Sequence, residues 1–186
     1  MAAGDATTNA TKRQVHLEEI SAISSPATLA HARELLLEYG RFVVAQPGAA
    51  RFCFGTLEKE AARLPACYIE QAGGCLVAYA QSEPAAHAQP AGFVAWRALN
   101  AAIAPNACEL KRLWVRPDSR GLSLGRTLTL AVLERARASG YKAIYLDTAP
   151  ACMSAAHRIY LDLGFEPSAP YNDNPVEGLV YLSRSL

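Results

Sequence analysis

The stretch Arg120-Gly121-Leu122-Ser123-Leu124-Gly125-Arg126 places two glycines and a serine at the mouth of a helical pattern, directly after a strand-like run ending in Val115-Arg116-Pro117. A helix N-terminus carries backbone N–H groups without intrahelical partners and a partial positive charge. Glycines ahead of it let a ligand approach the backbone closely, so the segment suits a phosphate or pyrophosphate. Two nucleotide sites are excluded. A P-loop needs Gly-Lys-Ser/Thr at its end, and here Arg126 follows Gly125. A dinucleotide site needs G-x-G-x-x-G, and that spacing is absent. Taken by themselves, the glycines fit a plain strand–helix turn equally well.

The elements that must hold this segment follow from periodicity. Val15 to Ser21 reads as a first strand. A helix then starts at Ser25, a good N-cap, with Pro26 at its first position and Ala30, Ala32, Leu35, Leu36 and Phe42 as its apolar face. FGTLEKEAARLP reads as a short second helix ending near Pro65. GGCLVAYAQ and AGFVAWRAL are apolar runs of strand length, and the two prolines between them mark a hairpin loop. ACELKRLWV is a further strand. In the helix after it, Leu124, Leu128, Ala131 and Val132 fall on one face, and Gly140 can close its end. KAIYLDTA is a strand, SAAHRIYLDLG a helix with Gly164 at its end, and VEGLVYLSRSL a closing strand. This order describes one mixed α/β domain over residues 15–186, with an antiparallel front and a parallel pair near its middle. Residues 1–14 are small and polar and read as a disordered tail.

Composition narrows the function classes. The 186 residues carry a formal net charge of +1, with 51% hydrophobic and 19% charged residues, a globular balance that gives no footprint for nucleic acid or an anionic membrane surface. No apolar run approaches the ~20 residues of a membrane span. Five cysteines with no C-x-x-C pair argue against a disulfide framework or a metal site and point to a cytoplasmic home.

In two signatures the sequence resembles the GNAT family of N-acetyltransferases. The family's pyrophosphate loop, Q/R-x-x-G-x-G/A after a Val-x-Pro strand end, is matched at Val115, Pro117, Arg120 and Gly125, with Ser123 where the middle glycine is usual. The second signature is a helix tyrosine followed by Leu-Gly-Phe, matched at Ala156, Tyr160, Leu163, Gly164 and Phe165. Met153 stands where many members carry an asparagine. The resemblance implies a GNAT fold of class α/β (α+β), a mixed central sheet of six to seven strands flanked by about four helices. It implies acetyl-CoA as co-substrate without a metal, and acetyl transfer to a primary amine by direct attack in a ternary complex.

The resemblance also assigns roles. Tyr160 would hydrogen-bond or protonate the departing coenzyme thiolate; a core aromatic among Ala156, Ile159 and Leu163 is the alternative. Glu109 would serve as general base for the amine; a salt bridge to Lys111 or Arg112 is the alternative. The backbones of Leu113, Trp114 and Val115 would hold the pantetheine along an open strand edge. Arg120, Gly121, Leu122, Ser123, Leu124, Gly125 and Arg126 would hold the pyrophosphate, with Arg116 and Arg158 as further cations. Tyr171 and Asn174, in the late loop APYNDNP, would border the acceptor; plain turn chemistry is the alternative. A small-molecule amine is the expected acceptor, with a protein or peptide amine, or a non-catalytic acyl-CoA-binding regulatory module, as the rival readings. The family allows a homodimer, for which the sequence specifies no interface.

Overall fold

The computed structural model describes residues 14–46, 54–81, 87–174 and 176–186. The tail reading of residues 1–14 therefore falls outside the described residues except at Gln14, which opens the first strand. The strands are Gln14–Glu19 (β1), Gly74–Gln81 (β2), Gln89–Ala98 (β3), Ala107–Val115 (β4), Ala143–Thr148 (β5), Glu166–Pro167 (β6) and Val180–Ser185 (β7). They form one sheet in the order β1-β2-β3-β4-β5-β7-β6. Neighbours are antiparallel, except β4 and β5, which run parallel.

The helices are Pro26–Val44 (α1), Phe54–Ala62 (α2), Ala66–Ile69 (α3), Leu124–Ala138 (α4) and Ser154–Asp162 (α5). Local chemistry sets their ends. The Ser25 hydroxyl accepts the Thr28 N–H at 3.1 Å, with Pro26 opening α1. Beyond α4 and α5, Gly140 and Gly164 take φ of +83° and +77°, which an L side chain adopts only with strain. Two elements escaped the sequence reading: the four-residue α3 and the two-residue β6 are too short to show a period. On α1 the apolar face uses Ala32, Leu35, Leu36 and Val43, whereas Ala30 is exposed. No helix among the described residues is long and apolar enough to cross a membrane.

Both faces of the sheet are covered. One core gathers Leu76, Val94, Leu110, Ile144 and Leu146 beneath α4 and α5. The other gathers Leu35, Leu57, Tyr68, Phe93 and Trp114 beneath α1, α2 and α3. Being covered twice, β2 reads as an apolar run with no alternation.

The sheet is interrupted at its middle. Phe93 pairs with Trp114 and Ala95 with Lys111, so Arg112 and Leu113 together oppose Val94. This is a β-bulge, with Arg112 at φ +62°. On its other side β4 pairs with β5 only at Ala107, Cys108 and Glu109. A bulge bends its strand, so β4 leaves β5 after Glu109 and a wedge opens between two parallel strands.

Candidate active site

The C-terminal end of β4 leads into the anion loop. A short 3-10 turn at Pro117–Ser119 precedes Gly121, whose φ is +84°. The first α4 bond is Thr127 N–H to the Ser123 carbonyl at 3.0 Å. Ahead of it, the N–H groups of Gly121, Leu122, Ser123, Leu124, Gly125 and Arg126 have no protein acceptor among the described residues. This row of amides at a helix N-terminus is the arrangement that binds a pyrophosphate. Gly125 has a second duty. A Cβ there would lie 3.0 Å from Ile159 Cδ1, so its absence lets α4 and α5 pack closely.

Ser123 is left-handed, with φ +58° and ψ +15°, and its side chain caps nothing. That conformation explains a glycine preference at this position. Ser123→Gly should relieve strain of about 1 kcal/mol, partly offset by the greater freedom of an unfolded glycine. The expected outcome is a gain of ~0.5 kcal/mol in chemical denaturation and tighter coenzyme A binding by calorimetry. A loss of stability would show that the serine side chain does something the geometry does not reveal.

Of the flanking arginines, Arg120 and Arg126 are exposed beside the loop. The Arg120 guanidinium lies 5.5 Å from the Trp114 ring centroid, and its Nε–H reaches the Val115 carbonyl at 3.4 Å. Arg116, by contrast, is committed elsewhere. It donates to Glu38 at 2.8 Å and to the Pro90 carbonyl at 2.9 Å, and pairs with Glu34 at 2.9 Å. The Trp114 indole N–H also donates to Glu38, at 3.1 Å, and its ring packs on Phe42. Trp114 thus offers the wedge only its backbone.

Tyr160 borders the wedge with Tyr39, Asp147, Thr148, Met153 and Ala156, around a cavity of about 30 Å3. Its ring is 4% exposed and packs on Phe165, with centroids 5.6 Å apart. Its hydroxyl has no hydrogen-bond partner among the described residues. Burial pushes the phenol pKa up, and Tyr39 and Asp147 push it the same way, so the group stays protonated. A buried phenol that keeps its proton is a proton donor.

On the α1–α3 face of the same strands lies a larger cavity of about 570 Å3. Glu109, only 3% exposed, forms part of its wall. Its carboxylate accepts Arg97 Nε–H at 2.5 Å and Lys111 at 3.4 Å. Arg112 does not join it. Arg112 turns to Glu60 of α2, donating through Nε at 3.1 Å and a terminal nitrogen at 3.0 Å. Lys111 and Arg112 border both cavities, so the wedge and the larger cavity share this stretch of β4 as a wall.

Tyr171 and Asn174 both border the larger cavity. Tyr171 is buried edge-on between Tyr145 and Tyr181, with centroids 5.6 Å away in each case. Burial, then the carboxylates of Asp147 and Glu109, raise its pKa. The Asn174 side-chain oxygen accepts the Val176 N–H at 3.2 Å, the turn chemistry its composition suggested. Asp147, at the mouth of the wedge on β5, accepts from Asn172 Nδ2 at 2.7 Å. Among the described residues no cluster of three or more His, Cys, Asp or Glu side chains is placed to hold a metal ion.

A sequence profile described as the acetyltransferase (GNAT) family matches residues 33–165. The chain belongs to the GNAT acetyltransferase family. Over 82 residues it is 39% identical to an uncharacterized N-acetyltransferase of Schizosaccharomyces pombe, a match covering 44% of this chain and 50% of that protein. Over 59 residues it is 41% identical to the uncharacterized Escherichia coli K12 N-acetyltransferase YjgM, covering 32% and 35%. The matches thus span half or less of these curated relatives. Among solved structures, a GNAT acetyltransferase from Staphylococcus aureus Mu50 superposes with a TM-score of 0.69 at 16% identity, covering 92% of this chain and 99% of that one. The PaiA N-acetyltransferase of Thermoplasma acidophilum, solved in complex with coenzyme A, gives 0.62 at 17%, covering 93% and 99%. At these identities the likeness is one of GNAT fold.

Within that GNAT fold two positions depart from pattern. Ser123 is accommodated by the left-handed backbone described above. Met153 sits at the N-cap of α5 without capping it, and its sulfur receives only the Thr148 hydroxyl at 3.9 Å. Three residues of this candidate site were not singled out from the sequence: Glu60, Arg97 and Asp147. Each reaches the site from another element, and only Asp147, a polar residue in an otherwise apolar strand, leaves a trace in the sequence.

Proposed function

We propose that this chain transfers an acetyl group from acetyl-CoA to the primary amine of a small molecule, by direct attack in a ternary complex. The observation that carries the reading is that two cavities share the Lys111–Arg112 stretch of β4 as a wall. One is a wedge between parallel strands, bordered by Leu110 to Leu113 of β4 and by Tyr160. The other is a polar chamber bordered by Glu109. Acetyl-CoA would lie along the first: the amides of residues 121–126 would hold its pyrophosphate, and the β4 edge at Leu113, Trp114 and Val115 would pair with its pantetheine. It supplies the acyl thioester. The protein supplies the rest. A backbone N–H near Val115 polarises the thioester carbonyl. Glu109 takes the proton that the amine must lose, directly or through water. Tyr160 gives a proton to the departing thiolate. A cytoplasmic setting suits the free thiols of Cys67, Cys75 and Cys108.

The test is thiol release from acetyl-CoA against a panel of small amines and peptide N-termini. Amine-dependent release supports transfer, and the class that responds separates a small-molecule from a peptide acceptor. Tight coenzyme A binding without release for any amine would turn the reading toward a binding module. In the same assay Glu109→Gln should lower kcat about 10²-fold, the scale of a lost general base, with the melting temperature checked alongside. An unchanged kcat would remove Glu109 from the mechanism.

A further inference from the structure

The walls of the 570 Å3 cavity are unequal in hydrogen-bonding capacity. Among the described residues, their side-chain carboxylate and amide oxygens, apart from those of Asp173, are already engaged by the protein. Glu109 accepts from Arg97 and Lys111. Gln71 Oε1 accepts from Arg97 at 3.3 Å. The side-chain oxygens of Asn100, Asn172 and Asn174 accept backbone N–H groups of Ala102, Asn174 and Val176 at 2.9, 3.2 and 3.2 Å. Because those N–H groups fix the amide oxygens, the orientation of each side chain is set. The carboxylate that stays open is Asp173, at the exposed rim.

Donors are in a different position. Lys111 has one contact, at 3.4 Å, to a carboxylate that Arg97 holds more closely, so ammonium protons remain. Arg97 uses Nε and one terminal nitrogen, leaving the other. Asn100 and Asn174 have their NH2 groups left, since only their oxygens are engaged. The side chain of Lys111 is 16% exposed, so its charge is held away from bulk water. Burial and the adjacent Arg112 pull its pKa down, and the carboxylates of Glu109 and Asp147 offset this only in part. A ligand that satisfies such a wall must offer oxygens that only accept, and negative charge.

Resting on the transferase reading above, we propose that the acceptor amine carries a carboxylate, which binds the remaining donors of Lys111 and Arg97, so that the substrate is a small amino acid. The cavity is large enough to admit a molecule of that size. The open carboxylate of Asp173 at the rim, with Glu109 beside the cations, gives the ammonium end its own attraction.

The experiment uses matched pairs: common L-amino acids, each beside its α-carboxamide, with phosphoethanolamine as a phosphate-bearing amine. Thiol release and calorimetric binding with coenzyme A present are measured for the full chain, Lys111→Met and Lys111→Arg. The amide has the less basic amine, so intrinsic reactivity favours it, and a preference for the acid must come from the protein. At least one acid is expected to exceed its amide about 10-fold or more in kcat/KM, the scale of one charge-assisted hydrogen bond. Lys111→Met should bring that ratio near one, and Lys111→Arg should keep it. Equal acid and amide, preference for phosphoethanolamine, or no binding of any acid would each overturn the proposal. Binding of acids that Lys111→Met abolishes, with no thiol release from any compound, would leave the carboxylate site standing and sink the transferase reading instead.

Discussion

Tyr160→Phe is expected to lower the rate of thiol release by 10²-fold or more while leaving coenzyme A affinity and melting temperature close to wild type. The structure makes this substitution unusually clean. The ring packs against Phe165, and phenylalanine fills the same volume. The hydroxyl has no hydrogen-bond partner among the described residues, so removing it strands no protein group. Burial holds its proton on, which leaves the phenol able to donate. A structural tyrosine would predict the reverse pattern, a shift in stability with little change in rate. Single-turnover rates beside thermal melts distinguish the two. A rate within a few-fold of wild type would assign thiolate protonation to another group or to water.

What was legible in the sequence is what is encoded locally. Ser25 with Pro26, Gly140 and Gly164 mark helix ends because a cap or a left-handed turn depends on one residue's own chemistry. The anion loop is legible for the same reason: its amides are exposed by their place ahead of α4, whatever the rest of the chain does. Long-range pairing is not encoded that way. The alternative to a general base at Glu109 was a salt bridge to Lys111 or Arg112, its strand neighbours. Glu109 pairs with Lys111, but its closer partner is Arg97 on β3, brought beside it by strand register. Arg112 sits at the bulge with positive φ, which turns its side chain out of the alternation assumed for a regular strand. Its partner Glu60 lies 52 residues away on another element, beyond any periodic signal.

That Glu60–Arg112 pair carries the largest expected effect on stability. Both side chains are 17% exposed, and the contact is two-pronged. The Tyr68 hydroxyl also donates to Glu60. Burial alone would raise the Glu60 pKa, but Arg112, the Tyr68 hydroxyl and Lys111 together outweigh it and the net direction is down. A carboxyl with a lowered folded pKa contributes stability above its unfolded value and loses it as pH falls through the folded one, so the latch weakens only in acid. Glu60→Gln leaves the guanidinium buried without its counter-ion and should cost about 3–5 kcal/mol in chemical denaturation. Glu60→Met combined with Arg112→Met removes both charges and should recover much of that loss, since well-packed apolar replacements of a buried pair are often neutral. Stability and function then part. The pair ties α2 to the bulge that opens the wedge, so the double variant should fold yet show a raised KM for acetyl-CoA, because nothing from α2 fixes the bent strand. Hydrogen exchange along β4 reads the same event directly, as faster exchange between Leu110 and Val115. A double variant that is both stable and unchanged in KM would show that the bulge is held by sheet pairing alone, and that the ion pair serves only the packing of α2.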